Sequence, residues 1–110
     1  LPALAPFVFN AQSGLTYTFV LGDAGDVVTA NNASAQTYTI PPSSSVAYTT
    51  GTQITVIQKG AGQVTFAQGV GVTINSTGAT ATAPKLRARY SSCTLVYEGS
   101  NVWYVLGDIV

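Results

Sequence analysis

The chain is 110 residues long, enough for one domain around one core, and four Lys or Arg balance four Asp or Glu to a formal net charge of zero. Apolar residues make up 46% of it and charged residues only 7%, against roughly 25% charged in an average soluble domain. This balance supplies no field to draw nucleic acid or an anionic membrane, and the absence of His removes the usual general base near neutral pH and any His/Cys metal cluster.

The chain begins LPALAPF without Met, which reads as a processed product or a piece of a longer protein. Pro2 and Pro6 suit an extended arm over residues 1–14. Within it Phe7-Val8-Phe9 reads as a short strand or a tail that docks elsewhere, its rings needing burial here or on a neighbouring subunit, and 10–14 as a loop. Thr16-Tyr17-Thr18-Phe19-Val20-Leu21 is rich in β-branched and aromatic residues and predicts a strand with Tyr17, Phe19 and Leu21 on one face. A turn at Gly22-Asp23-Ala24-Gly25 leads to a strand at Val27-Val28-Thr29. A second turn, Asn31-Asn32-Ala33-Ser34, leads to Thr37-Tyr38-Thr39-Ile40, which Pro41-Pro42 ends because proline has no ladder N–H. Val46-Ala47-Tyr48 returns to alternation.

Residues 51–76 hold the clearest pattern. Ile54-Thr55-Val56-Ile57 and Val64-Thr65-Phe66-Ala67 each alternate with period two, and Gly60-Ala61-Gly62 lies between them, so the spacing predicts a central β-hairpin. Val72-Thr73-Ile74 repeats the pattern and predicts extension into a meander. After a small, polar stretch at 77–84, Lys85-Leu86-Arg87-Ala88-Arg89-Tyr90 alternates charge with apolar or small groups and, if extended, points three basic residues one way. A second hairpin is predicted from Cys93-Thr94-Leu95-Val96-Tyr97 and Val102-Trp103-Tyr104-Val105-Leu106, joined by Glu98-Gly99-Ser100-Asn101. Both faces of its second strand are apolar, which predicts burial on both sides.

No apolar run reaches the roughly 18 residues of a membrane helix, so a soluble protein is expected. No helical period of 3.6 persists for three turns. Short strand runs separated by turn signals predict an all-β, single-domain antiparallel β-sandwich over residues 15–110, jelly-roll-like or Greek-key, with a small β-barrel as the alternative.

Candidate sites are few. Lys85, Arg87 and Arg89 have three readings: a solvated edge that discourages aggregation, pairing with Asp23, Asp26 or Asp108 of a neighbouring subunit, or an anionic glycan site. Asp23 and Asp26 lack the oxygen count of a calcium loop and read as turn residues, so no metal or cofactor is expected. Tyr38, Tyr48, Tyr90, Tyr97, Trp103 and Tyr104 read as core or interface, with a sugar-stacking platform as the alternative. Cys93, in an alternating run, reads as a small buried apolar residue, with an intersubunit disulfide or a reactive thiol as the alternative. The sequons at Asn32-Ala33-Ser34 and Asn75-Ser76-Thr77 read as turn chemistry. Serines are abundant without a base and the carboxylates are scattered among turns, so no enzyme is expected. The residues expected to form an interface or ligand site are Phe7, Phe9, Lys85, Arg87, Arg89, Tyr90, Trp103 and Tyr104.

The span from Thr16 to Ile109 resembles a β-rich module of tailed-bacteriophage structural proteins, found in tail and head fibres, spikes and capsid-decorating proteins. The resemblance is carried by Asp23-Ala24-Gly25, Asn31-Asn32-Ala33-Ser34, Thr39-Ile40-Pro41-Pro42, Gly51-Thr52-Gln53-Ile54, Gly60-Ala61-Gly62-Gln63 and Trp103-Tyr104-Val105-Leu106-Gly107-Asp108. It implies a virion component, often a homotrimer, whose N-terminal arm attaches to other virion proteins such as the major capsid or tail protein while the β domain projects. A receptor-binding tip for host surface glycan is the alternative it leaves, and neither role involves nucleic acid or a membrane.

Overall fold

The computed structural model describes residues 6–110, so the Leu1 to Ala5 start of the expected arm lies outside the described residues. Nine strands follow: β1 (Phe9–Gln12), β2 (Thr16–Thr18), β3 (Val27–Ala30), β4 (Gln36–Ile40), β5 (Gln53–Gln58), β6 (Val64–Gln68), β7 (Thr73–Asn75), β8 (Ser92–Gly99) and β9 (Val102–Gly107). A single 3-10 turn at Leu21–Asp23 is the helical element among the described residues. The chain is all-β in class, as its alternation predicts. β1 falls within the stretch read as arm and loop, and Val46-Ala47-Tyr48 is loop, not strand.

The expected antiparallel architecture, jelly-roll or Greek-key, is corrected by the pairing. A six-stranded sheet runs β1-β3-β5-β8-β9-β7 and a three-stranded sheet runs β2-β4-β6. β1-β3-β5 and β2-β4-β6 are parallel, as is β7 with β9; β5-β8 and β8-β9 are antiparallel. The chain therefore alternates between sheets, one strand in each, and winds three flattened coils before the β8–β9 hairpin. Period two marks a face, not a direction, and so does not distinguish this winding from a meander.

The predicted 51–76 hairpin is likewise overturned: β5 and β6 lie in different sheets, and Gly60-Ala61-Gly62 is the corner between them. The meander goes with it, since β7 pairs with β9. The glycines serve close approach, not left-handed φ. A Cβ on Gly60 would lie 2.5 Å from the Asn32 carbonyl oxygen, and one on Gly62 only 1.8 Å from that of Ser34. The corner packs onto the preceding coil's corner, and the Gly62 N–H donates to the Asn32 carbonyl at 2.8 Å. Gln58 bridges the same corner from inside, buried, donating to the Gly60 carbonyl and accepting the Val64 N–H.

Between the sheets, stacked side chains form the core. Val28, Val56 and Cys93 are aligned partners across β3, β5 and β8; Tyr17, Tyr38 and Phe66 align across β2, β4 and β6. Phe19 packs against Tyr38 and Phe66. Trp103 stacks on Tyr97 with centroids 4.8 Å apart and meets the edge of Tyr48 at 5.3 Å. Burying such rings contributes about 2 to 3 kcal/mol each by apolar area. β9 is buried on one face only: Trp103 and Val105 point inward while Leu106 is exposed, which corrects the two-sided reading.

The second hairpin is present as predicted. β8 and β9 are joined through Ser100 (φ 54°) and Asn101 (φ 61°), the two positive values that a tight two-residue hairpin turn requires.

Candidate association surface

Alternation leaves the outer face of the six-stranded sheet to solvent, and the strand register orders it into rows. One row reads Phe9, Val27, Thr55, Thr94, Leu106 across β1, β3, β5, β8 and β9. A second reads Ala11, Thr29, Ile57, Ser92, and a third Gln53, Val96, Tyr104, Asn75. These rows contain no formal charge. Phe9 and Leu106 are exposed, and Phe7 continues the patch, its ring meeting Phe9 edge-on at 5.4 Å.

Charges sit at the two ends of this face. At the C-terminal end of β5, Lys59 and Tyr90 join Phe9, Ala11, Thr29 and Ile57 around an open groove of about 430 Å³. The Arg89 guanidinium lies 5.0 Å from the Tyr90 ring centroid and donates from Nε to the Lys59 carbonyl at 3.1 Å. Tyr90 has φ 71°, a left-handed conformation rare for a bulky residue, and its side chain remains exposed. At the opposite end, Glu98 accepts the Tyr104 hydroxyl at 3.1 Å, and this hydrogen bond raises the phenol pKa above its ordinary value.

The predicted basic alternation is divided by the fold. Arg87 pairs with Asp108 of its own chain, Nε to Oδ1 and Nη2 to Oδ2 both at 2.8 Å, where pairing with a neighbouring subunit was one of three readings. The Asp108 carboxyl is held below its usual range by hydrogen bonds from Arg87 and then from the Ser91 hydroxyl, and Arg87 is pushed further up by the same contact. Lys85 bridges to Thr65 on the edge of the three-stranded sheet, away from Arg89. Of the remaining sequence candidates, Phe9, Tyr90 and Arg89 come together at the groove, Phe7 lies beside Phe9, and Tyr104 sits at the far end.

Trp103 is 1% exposed and offers no outer surface; Tyr38, Tyr48 and Tyr97 are also buried, so the six-ring sugar platform is not assembled. Lys59, Ile57 and Glu98 were not singled out by sequence reasoning. Their common face depends on sheet order, which no local pattern encodes.

The remaining polar features are structural. Asp23, buried, accepts from the Tyr17 hydroxyl (2.6 Å), Asn10 Nδ2 (2.8 Å) and the Val20 N–H (3.0 Å). Burial first, and Asp23 second, raise the Tyr17 pKa. Asp26 accepts the Val8 N–H. The Cys93 thiol is free and buried, which pushes its pKa up to about 12. Asn32 is tied into its turn, accepting the Ser34 N–H and donating to the Ser13 carbonyl.

No protein-family model matches the chain, and the search of curated proteins returned no relative.

Proposed function

We propose that this chain is a structural component of a tailed-bacteriophage particle, a β-rich module that projects from or decorates the virion. It self-associates as a homotrimer through the outer face of its larger sheet, attaches to the major capsid or tail protein, and performs no catalytic step. In this reading the two sheets act as a sandwich, their inner faces sharing one core. The observation that carries the proposal is the uncharged outer face, three rows of apolar, hydroxyl and amide side chains with Phe7, Phe9 and Leu106 exposed on or beside it. Burying hydroxyls and amides on assembly costs far less than burying ions, so such a face associates without a large desolvation penalty. The Phe7–Phe9 pair at one edge and Leu106 toward the other are its exposed apolar groups, and exposed apolar surface of this kind marks interaction sites. Light scattering over a concentration series tests the reading: the expected mass is three times the 11.3 kDa protomer, and Leu106→Glu shifts it toward one. A wild-type monomer at tens of micromolar overturns it.

A second reading, recognition of host surface glycan, is favoured by the exposed Tyr90 ring at the groove with Arg89 over it. A glycan array on the chain separates the two, with silence across the array counting against recognition.

A further inference from the structure

We infer that the groove at the Lys59–Arg89 end of the sheet receives the Glu98–Tyr104 corner of a second copy of this chain. The inference rests on the reading that the outer face self-associates, and supplies the register of that contact.

Charge placement on the face carries it. Among the described residues Asp23 is buried in its own network, Asp26 accepts the Val8 N–H, and Arg87 and Asp108 pair with each other. Lys59, Lys85 and Arg89 have no carboxylate within 4.0 Å among the described residues, and Glu98 has no cation; Lys85 lies beside Thr65 of the three-stranded sheet, off this face. The register places Ser92 beside Ile57, next to Lys59, and β8 then runs to Glu98. At about 3.3 Å per residue the two ends lie about 20 Å apart, so within one molecule these charges never meet. Apolar rows alone do not fix how two copies meet; opposite charges on groove and corner select one register and reject those that bring like charges together.

The groove is shaped for such a partner. It is lined by Ala11, Thr29 and Ile57 with the exposed rings of Phe9 and Tyr90, and the Arg89 guanidinium lies 5.0 Å from the Tyr90 ring centroid. Tyr104 brings a ring and Glu98 a carboxylate, already joined by a hydrogen bond. The contact is heterologous: one surface on each copy meets a different surface on the next, and closure makes a ring.

Charge reversal with mixing tests this. K59E/R89E and E98K, all at exposed positions, are each followed by sedimentation velocity, with thermal melts confirming that both variants fold. Each variant alone is expected to raise the dissociation constant about tenfold or more, because like charges then face each other. An equimolar mixture restores assembly, since a reversed groove fits a reversed corner and a wild-type groove fits a wild-type corner. A three-membered ring of the two variants must hold one like-charged contact, so the mixture associates as mixed pairs and gives no closed trimer.

If both variants assemble like wild type while Leu106→Glu dissociates, the register is overturned and the face-association reading stands. If wild type is itself monomeric, both fall. A mixture that stays dissociated overturns the inference. So does saturable binding of a galacturonate oligosaccharide that K59E/R89E abolishes with assembly unchanged, since the groove is then a saccharide site.

Discussion

In the β8–β9 hairpin each strand's partner is its neighbour in sequence, and the chain reverses at Ser100 and Asn101, both held at positive φ. In the coils each strand's partner is one full winding away: Thr16 aligns with Thr37 and Thr65, with a strand of the other sheet lying between each in sequence. The two regions share composition and alternation. They differ in where the pairing information resides, in local turn geometry for the hairpin and in the fit between successive corners for the coils.

Substitutions that add one group at each kind of turn sharpen this contrast. Gly62→Ala places a methyl against the Ser34 backbone, where no flexible side chain can yield, so the corner must lift off the coil beneath it. The expected loss is about 3 kcal/mol, read from denaturant midpoints with m-values compared. Ser100→Val forces a β-branched residue into the left-handed region at an exposed turn, with an expected loss of about 1.5 kcal/mol. Equal losses at the two sites, or a neutral Gly62→Ala, would erase the distinction.

The smallest effect is electrostatic. Asp108 has a folded pKa below the ordinary carboxylate value, so its contribution is complete above the unfolded value, about 3.9, and is lost as pH falls through the folded one. Asp108→Asn should flatten the decline of the unfolding midpoint between about pH 5 and 2, while leaving the difference between Gly62→Ala and Ser100→Val unchanged.

The hairpin was legible because its signals are local: two alternating runs and a short polar loop. The coils were not, although a trace of them is printed in the chain. Thr16-Tyr17-Thr18, Thr37-Tyr38-Thr39 and Thr65-Phe66-Ala67 are three windings of one strand position, with threonines outward and rings inward. The stretch at 41–52 lengthens the passage from the second winding to the third and spoils a fixed period. Glycine misled for a related reason. Gly60 and Gly62 stand between two alternating runs, as hairpin-turn residues do, whereas their function is to lack a side chain where two backbones touch. Of the candidate surface, Phe9, Arg89 and Tyr90 were found as residue types seeking a partner, but their meeting with Lys59 depends on β1, β3 and β5 lying side by side.

A wound stack of coils has no inherent length, and every open end invites another layer. Here the first layer is filled differently from those after it: where later ones hold Val28, Ala30, Val56 and Phe66, it holds Asn10, Gln12 and Tyr17 gathered on Asp23. A foreign layer settling on that end would strip water from amides whose hydrogen bonds are already directed inward, and would gain little apolar contact in return. The polar plug therefore disfavours the stacking of further coils on that end, a limit on extension built into the first layer itself.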